Sequence, residues 1–388
     1  MFKNPKTTFY TFIATSLGII FFGNVMVFSA AQVTGLTESG SSFAISARQI
    51  LLTFLSLVVA WMVSQFPITS VRKIAKKGIL IALFMMMLLI PFGQTINGNR
   101  NWISFGPIDF QPSEFAKLNL ILWSAIIIER TIKDIKLLFK LLLAGFSSVL
   151  AIVLVGGDLG SAVVIGLILA AMLYLSGAGT SQLTLILAGG LAGVAALVAV
   201  QPYRIARFTA FIHPFKDGIY KNAGWQPAHS LMALASGGLF GAGLGASKQK
   251  WGNLAEAHTD FIFAVIGEEM GLIGTLGVLI ALSILVISIF KIALSAKDEF
   301  SRYVGLGIGL WIAIQSLINL ASATSLIPVV GVTLPLISYG GSSLLALVGA
   351  LGFVAGIALR NPELSSQINT KWPRTPSRNS VKQIKEPM

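Results

Sequence analysis

Apolar residues do not alternate with polar ones along this chain. They gather in runs long enough to cross about 30 Å of hydrocarbon as a helix. Ten such runs stand out, at roughly 9–31, 48–68, 78–94, 113–129, 138–156, 160–177, 181–200, 259–290, 303–326 and 342–360. The expected fold is therefore an all-α polytopic membrane protein with about ten transmembrane helices. The first run starts with basic residues and ends in small ones, as a signal peptide does. It is longer than a signal core, and reads as an uncleaved first helix.

Composition supports that reading. Of 388 residues, 55% are hydrophobic and 11% charged, and the mean hydropathy is +0.81. Soluble domains carry about 25% charged residues. The net charge of +13 could suggest nucleic acid, but the basic residues fall mainly in short loops and in the tail. That is the positive-inside pattern, and no nucleic-acid partner is expected. It places both termini in the cytoplasm of a multi-pass membrane protein. With no cysteine, no disulfide staples an outer loop. Residues 1–360 read as one transmembrane domain, and 361–388 as a disordered basic tail rich in Pro and Ser.

Three segments then face outward: 95–112, 201–258 and 327–341. The second is a large extracytoplasmic loop between helices 7 and 8, too long to be a bare connection. No internal repeat is visible, which weighs against a repeat-built transporter.

Most of the candidate chemistry lies on that side. In "NGNRNWISFGPIDFQPSEFAKLNL", Asn97-Gly98 and Gly106-Pro107 mark turns, Ser113 can cap a helix, and Glu114 and Lys117 are neighbours on its face. They read either as an interfacial ion pair or as an anion site. Asp158 in "GGDLGSAV" can cap the next helix and face a cavity at once. Arg204 and Arg207, three apart in "PYRIARF", present two guanidinium groups to phosphate or to anionic lipid. "GGLFGAGLGASKQKWG" lacks the strand context of a dinucleotide fingerprint. "LIPVVGVTLPLISYGGSS" reads as a broken or re-entrant element, and Asn319 before it as interhelical glue.

"EAHTDFIFAVIGEE" sets charge into the start of the eighth run. On a helical wheel Ala264, Gly267, Gly271 and Gly274 continue directly below Asp260. That small-residue stripe turns Asp260 toward the bundle. Glu268 and Glu269 point elsewhere and have no assigned role. His258 is the residue of this stretch whose type can titrate near neutral pH. One His is too few for an ordinary metal site, though Asp, Glu and His together could hold a divalent ion weakly.

These stretches, with "DLGSA", "YRIAR" and "SLMALASGGLFGAGLGASKQK", resemble the SEDS family (shape, elongation, division and sporulation). The likeness runs over about residues 10–360. It implies a ten-helix peptidoglycan glycosyltransferase that polymerises lipid II at the outer face of the bacterial cytoplasmic membrane. The leaving group would be undecaprenyl diphosphate, with inversion at the sugar. It implies a class B penicillin-binding protein (the transpeptidase) as partner. By the resemblance Asp260 is the catalytic base, Glu114 and Lys117 are functional, and Lys117, Arg204 and Arg207 neutralise the diphosphate, with room for Mg2+ or Mn2+. Further candidate substrate contacts are Gln111, Ser113, Asp158, Gln226, Ser230, Lys250, Glu256, His258, Ser338 and Ser342.

The chain departs from the family at Gly156-Gly157, His213-Pro214, Leu254-Ala255 and Trp225, which unsettles the fine shape of the outer loop. "IGEEMG" and the tail lean toward the division members, with other divisome proteins as partners at the septum. Elongation-type polymerisation and lipid II translocation are the alternatives.

Overall fold

The computed structural model describes residues 4–96, 99–105, 108–131, 134–155, 157–200 and 202–368. The turns expected at Asn97-Gly98 and Gly106-Pro107, the departure at Gly156 and the tail from 369 lie outside the described residues. So does the side chain of Arg204.

The chain begins with α1 (Pro5–Ala30), α2 (Gln32–Ser39), α3 (Ala44–Gln65), α4 (Ile68–Lys76), α5 (Gly78–Met87) and α6 (Leu89–Phe92). A small sheet follows, β1 (Gln94–Ile96), β2 (Asn99–Phe105) and β3 (Ile108–Phe110). Then come α7 (Pro112–Thr131), α8 (Ile135–Val155), α9 (Leu159–Leu175), α10 (Thr180–Val200), α11 (Pro202–Ile212) and α12 (Trp225–Ser236). The chain closes with α13 (Ile262–Leu294), α14 (Glu299–Ala323), α15 (Gly341–Leu359) and α16 (Pro362–Ile368).

Local chemistry sets several boundaries. Asn4 accepts from Lys6 N at the start of α1, with Pro at the first helical position, where its missing N–H is not needed. Asp158 and Asp298 cap α9 and α14 through the amides of Ser161 and Ser301.

Among the described residues, α1, α3, α13, α14 and α15 are long and apolar enough to cross a membrane. A sixth span arises if α4 and the α5–α6 stretch, bent by 56°, count together. Helices α9 and α10 contain shorter apolar stretches. Helix α14 packs against α7, α9, α13 and α15, and its Trp311 is fully buried. Close backbone approach tightens the bundle. A Cβ on Gly352 of α15 would meet the Ala60 carbonyl of α3 at 2.4 Å.

The structure refines or corrects four expectations. The all-α expectation misses a small sheet, since the strands of segment 95–112 pair antiparallel as β1–β2–β3. Segment 201–258, expected to be more than a bare connection, carries two helices, α11 and α12. Residues 362–368 of the expected tail form α16, docked through buried Leu364.

The fourth correction concerns Asp260. It lies in a turn just before α13, not on the helix. Moreover α13 is broken at Gly271, whose φ of 65° and ψ of −160° are not helical. A straight stripe from Asp260 to Gly274 therefore does not exist.

Candidate functional site

The Asp260 turn is built from Glu256 onward. Glu256 adopts a left-handed φ of 56°, and its carbonyl accepts from both Thr259 N and Phe261 N at 3.2 Å. The Thr259 hydroxyl donates to the Glu256 carboxylate at 2.7 Å. Such turns concentrate polar backbone, which must be held by neighbours when half-buried.

Two elements supply that hold. From α14, the Asn319 amide donates to Asp260 O at 2.8 Å and to Val332 O at 2.7 Å. From the segment between α14 and α15, the Ser338 hydroxyl donates to Thr259 O at 2.5 Å and Tyr339 N to His258 O at 2.9 Å. The Tyr339 and His258 rings lie 5.4 Å apart. Asn319 thus ties two loops together rather than joining two helices. Gly331, at φ 73°, faces the carboxylate, and a Cβ there would lie 3.5 Å from Asp260 Oδ2.

The Asp260 side chain reaches the surface only in part. Protein packed around it removes water that would stabilise the anion, and this burial pushes its pKa up to about 7. The Glu256 charge raises it further, Arg207 opposes, and Asp158 adds a smaller upward push. The result is a carboxyl poised to exchange a proton near neutral pH, with a cation in electrostatic range.

Arg207 of α11 also lines a cavity of about 330 Å3, with Phe211, Asn222, Gln226, Ile327 and Val329. Segment 327–332 therefore serves two roles: its start walls the cavity and its end backs Asp260.

Asp158 sits at the head of α9. Its carboxylate accepts from Ser161 N at 2.9 Å, Ser161 Oγ at 2.7 Å, the Asn101 amide at 3.1 Å and the Gln111 amide at 3.4 Å. It is a cap that also pins the β-sheet. Ser113 Oγ lies 3.2 Å from Ser161 Oγ. Ser342 Oγ accepts from Gln111 N at 2.9 Å and donates to Asp109 O at 3.1 Å, joining α15 to the same sheet.

Glu114 and Lys117 form a buried ion pair at 2.8 Å. The Lys117 ammonium also donates to Gln315 Oε1 at 2.9 Å and lies over the Trp311 ring. Only 1% of Lys117 is exposed. Gln315 accepts from Trp311 Nε1 as well, and donates to Thr333 O at 3.1 Å. This pair therefore holds α7, α14 and the loop behind Asp260, with the Lys117 ammonium turned inward onto Glu114 and Gln315.

Lys250 is likewise turned inward. It is fully buried, paired with Glu269 at 2.9 Å and donating to Ser29 Oγ. Ser230 donates to Ala323 O at 2.6 Å, fastening α12 to the end of α14. Among the described residues no three His, Cys, Asp or Glu side chains gather as a metal site, so the divalent-cation expectation gains no ligand set.

Reasoning from sequence missed Gln315, Thr333, Gly331 and Asn101. One signal was present: Gln315 and Asn319 are amides four apart inside an apolar helix, so they share a face.

Several known proteins resemble this chain. The FtsW/RodA/SpoVE family model, described as "Cell cycle protein", matches residues 9–362. A Bacillus subtilis protein named "Probable peptidoglycan glycosyltransferase FtsW" is 36% identical over 406 aligned residues, covering 99% of this chain and 98% of its own. Stage V sporulation protein E of the same organism is 36% identical, covering 89% and 95%.

Among solved structures, Thermus thermophilus rod shape determining protein RodA superposes with a TM-score of 0.67 at 28% identity, covering 90% of this chain and 96% of that one. A chain of a peptidoglycan synthase complex, described for its structural coordination of polymerization and crosslinking, superposes at 0.70 with 26% identity, covering 93% and 98%. With a family model that spans nearly all of the helical bundle and relatives that align end to end, the chain belongs to the FtsW/RodA/SpoVE family.

Proposed function

We propose that this chain is a peptidoglycan glycosyltransferase that polymerises lipid II at the outer face of the cytoplasmic membrane, with Asp260 as its base. The observation that carries the reading is the placement of the Asp260 carboxyl, packed beside Gly331 and in electrostatic range of Arg207, which lines the cavity; burial there pushes its pKa up to about 7. Curated relatives named as glycosyltransferases agree with it.

The chemistry balances as follows. The Asp260 carboxylate takes the proton of the 4-hydroxyl on the GlcNAc of an incoming lipid II. That oxygen bonds to the anomeric carbon of the growing glycan, and the bond from that carbon to the undecaprenyl diphosphate breaks. The electron pair leaves on the diphosphate. Attack opposite the leaving group converts an α-linkage into β. Arg207, with Arg204 one turn before it on α11, balances the charge that develops there. Asn222 and Gln226, both with side-chain amides, also line the cavity. No step is assigned to a metal.

In this reading the chain crosses the membrane ten times, with α7 to α10 as spans beside the six apolar ones. Both termini are cytoplasmic, and the loop holding α11 and α12 lies outside. Its partner is a class B penicillin-binding protein that cross-links the strands. Its place is the division septum.

The test is to give purified protein lipid II in detergent and in liposomes, with and without the transpeptidase. Glycan strands that vanish with Asp260→Asn support the reading. Translocation of lipid II without polymer, or full polymer from Asp260→Asn, sinks it.

A further inference from the structure

The glycine-rich stretch after α12 does not lie over the outer surface. It runs along α13 to the break at Gly271. There the two chains exchange main-chain hydrogen bonds. Ala242 N donates to Glu268 O at 2.9 Å and Gly243 N to Glu269 O at 3.0 Å. In return Leu272 N donates to Gly238 O at 2.9 Å and Ile273 N to Leu239 O at 3.2 Å. These are helix carbonyls and amides that a break would otherwise leave unpaired. The approach requires glycine, since a Cβ on Gly241 would lie 2.2 Å from Glu269 O and one on Gly271 would lie 2.5 Å from Gly241 N.

Taking α13 to enter the hydrocarbon at its first residues sets a depth for the break. Gly271 is nine residues beyond Ile262, the first residue of α13. At 1.5 Å per residue that is about 14 Å, close to half of a 30 Å hydrocarbon layer. Non-helical backbone at that depth is tolerated only if its polar groups are satisfied within the protein.

The two glutamates meet that demand. Glu268 accepts from Lys248 N at 2.9 Å, Gln249 N at 3.3 Å and Ser247 Oγ at 2.5 Å. Glu269 accepts from Ser247 N at 3.4 Å and from Lys250, which balances one charge. Ser247 Oγ accepts in turn from Lys250 N at 3.3 Å. The carboxylates thus take the place of water for a descending and returning chain.

The outer side of this stretch is apolar. Phe240 is 79% exposed, with Leu239 and Leu244 each more than half exposed. Leu272, Ile273 and Leu276 of the membrane-spanning α13 are exposed too, at and just below the break. Exposed Lys248 and Trp251 follow on the returning limb. They suit a side chain that reaches back to the headgroups and an interfacial anchor.

We infer that residues 237–250 form a re-entrant loop seated in the break of α13, with lipid acyl chains covering Leu239, Phe240 and Leu244. Glu268 and Glu269 are the positioning residues that keep it there. The bilayer then supports the chain that runs on through Trp251 and Glu256 to Asp260. This inference does not depend on the catalytic reading.

The chain has no cysteine, so single labelling sites can be introduced cleanly. Phe240→Cys and Leu244→Cys carry a nitroxide in full-length protein reconstituted into phosphatidylglycerol–phosphatidylethanolamine vesicles, with Lys216→Cys as reference. Collision rates with oxygen and with a water-soluble nickel chelate are compared. The expected result is oxygen access at 240 and 244 and several-fold lower nickel access than at 216. Nickel access equal to that at 216 overturns the inference. Exclusion of both reagents also overturns it, because protein then covers the loop. Adding Glu268→Gln to the Leu244→Cys chain raises nickel access several-fold while circular dichroism and monodispersity are kept. An unchanged profile removes Glu268 from the positioning role.

Discussion

One nitrogen of Asn319 holds two loops at once: the carbonyl of Asp260 at 2.8 Å and the carbonyl of Val332 at 2.7 Å. Removing it leaves two polar groups unpaired behind the carboxylate, at about 1–3 kcal/mol each. A misplacement of about 1 Å can cost 10²-fold in rate. Asn319→Leu is therefore expected to lower kcat for strand synthesis by about 10²-fold, with a smaller effect on KM. A gel assay of glycan chains over a lipid II titration checks this. An unchanged kcat removes Asn319 from the site.

A base must be ionised to accept a proton. With the Asp260 pKa near 7, the single-turnover rate falls about tenfold per pH unit below that value and levels off above it. Removing the Glu256 charge relieves the second-largest upward push, so Glu256→Gln moves the acid limb to lower pH. The pH profiles of the two proteins decide it.

The same raised pKa has a consequence for stability, with the sign opposite to that of a salt-bridged Asp. The ordinary value is 3.8 and the folded value about 7, so between them the folded state keeps a proton that the unfolded state releases. Destabilisation grows as pH rises through this window and is full above it. Asp260→Asn should raise Tm at pH 8, and the gain should shrink toward pH 4. Thermal scans in detergent at the two pH values test this, and a pH-independent difference refutes it.

The Glu114–Lys117 pair is buried, so breaking one side leaves a charge without its partner. Lys117→Met should destabilise by about 3–5 kcal/mol, and the double change Glu114→Leu with Lys117→Met should recover most of the loss. Denaturation of the three variants reads this. If Lys117→Met instead keeps wild-type stability and loses only diphosphate binding, Lys117 belongs to the substrate site.

Much of this protein could be read without coordinates. The apolar runs are a local property, since each span must satisfy its own backbone in hydrocarbon, and α1, α3, α13, α14 and α15 lie close to the expected positions. Asp260, Arg207 and Gln226 could be singled out as candidate site residues, because charged and polar side chains among apolar ones are rarely neutral in function. Their family motifs sharpened that choice.

Where a side chain points was not legible. Lys117 and Lys250 look like anion-binding cations in one dimension, and only packing showed that Glu114 and Glu269 take their charges. Glu268 and Glu269, facing different ways on a helical wheel, had no account until the chain at 237–250 was found lying against both. The break at Gly271 has the same origin. Its hydrogen bonds are lost within α13 and regained from residues about thirty positions away. Sequence by itself determined what must be buried in the bilayer, because that is decided residue by residue. The tertiary structure alone decided which charges cancel one another, because pairing depends on contacts between distant parts of the chain.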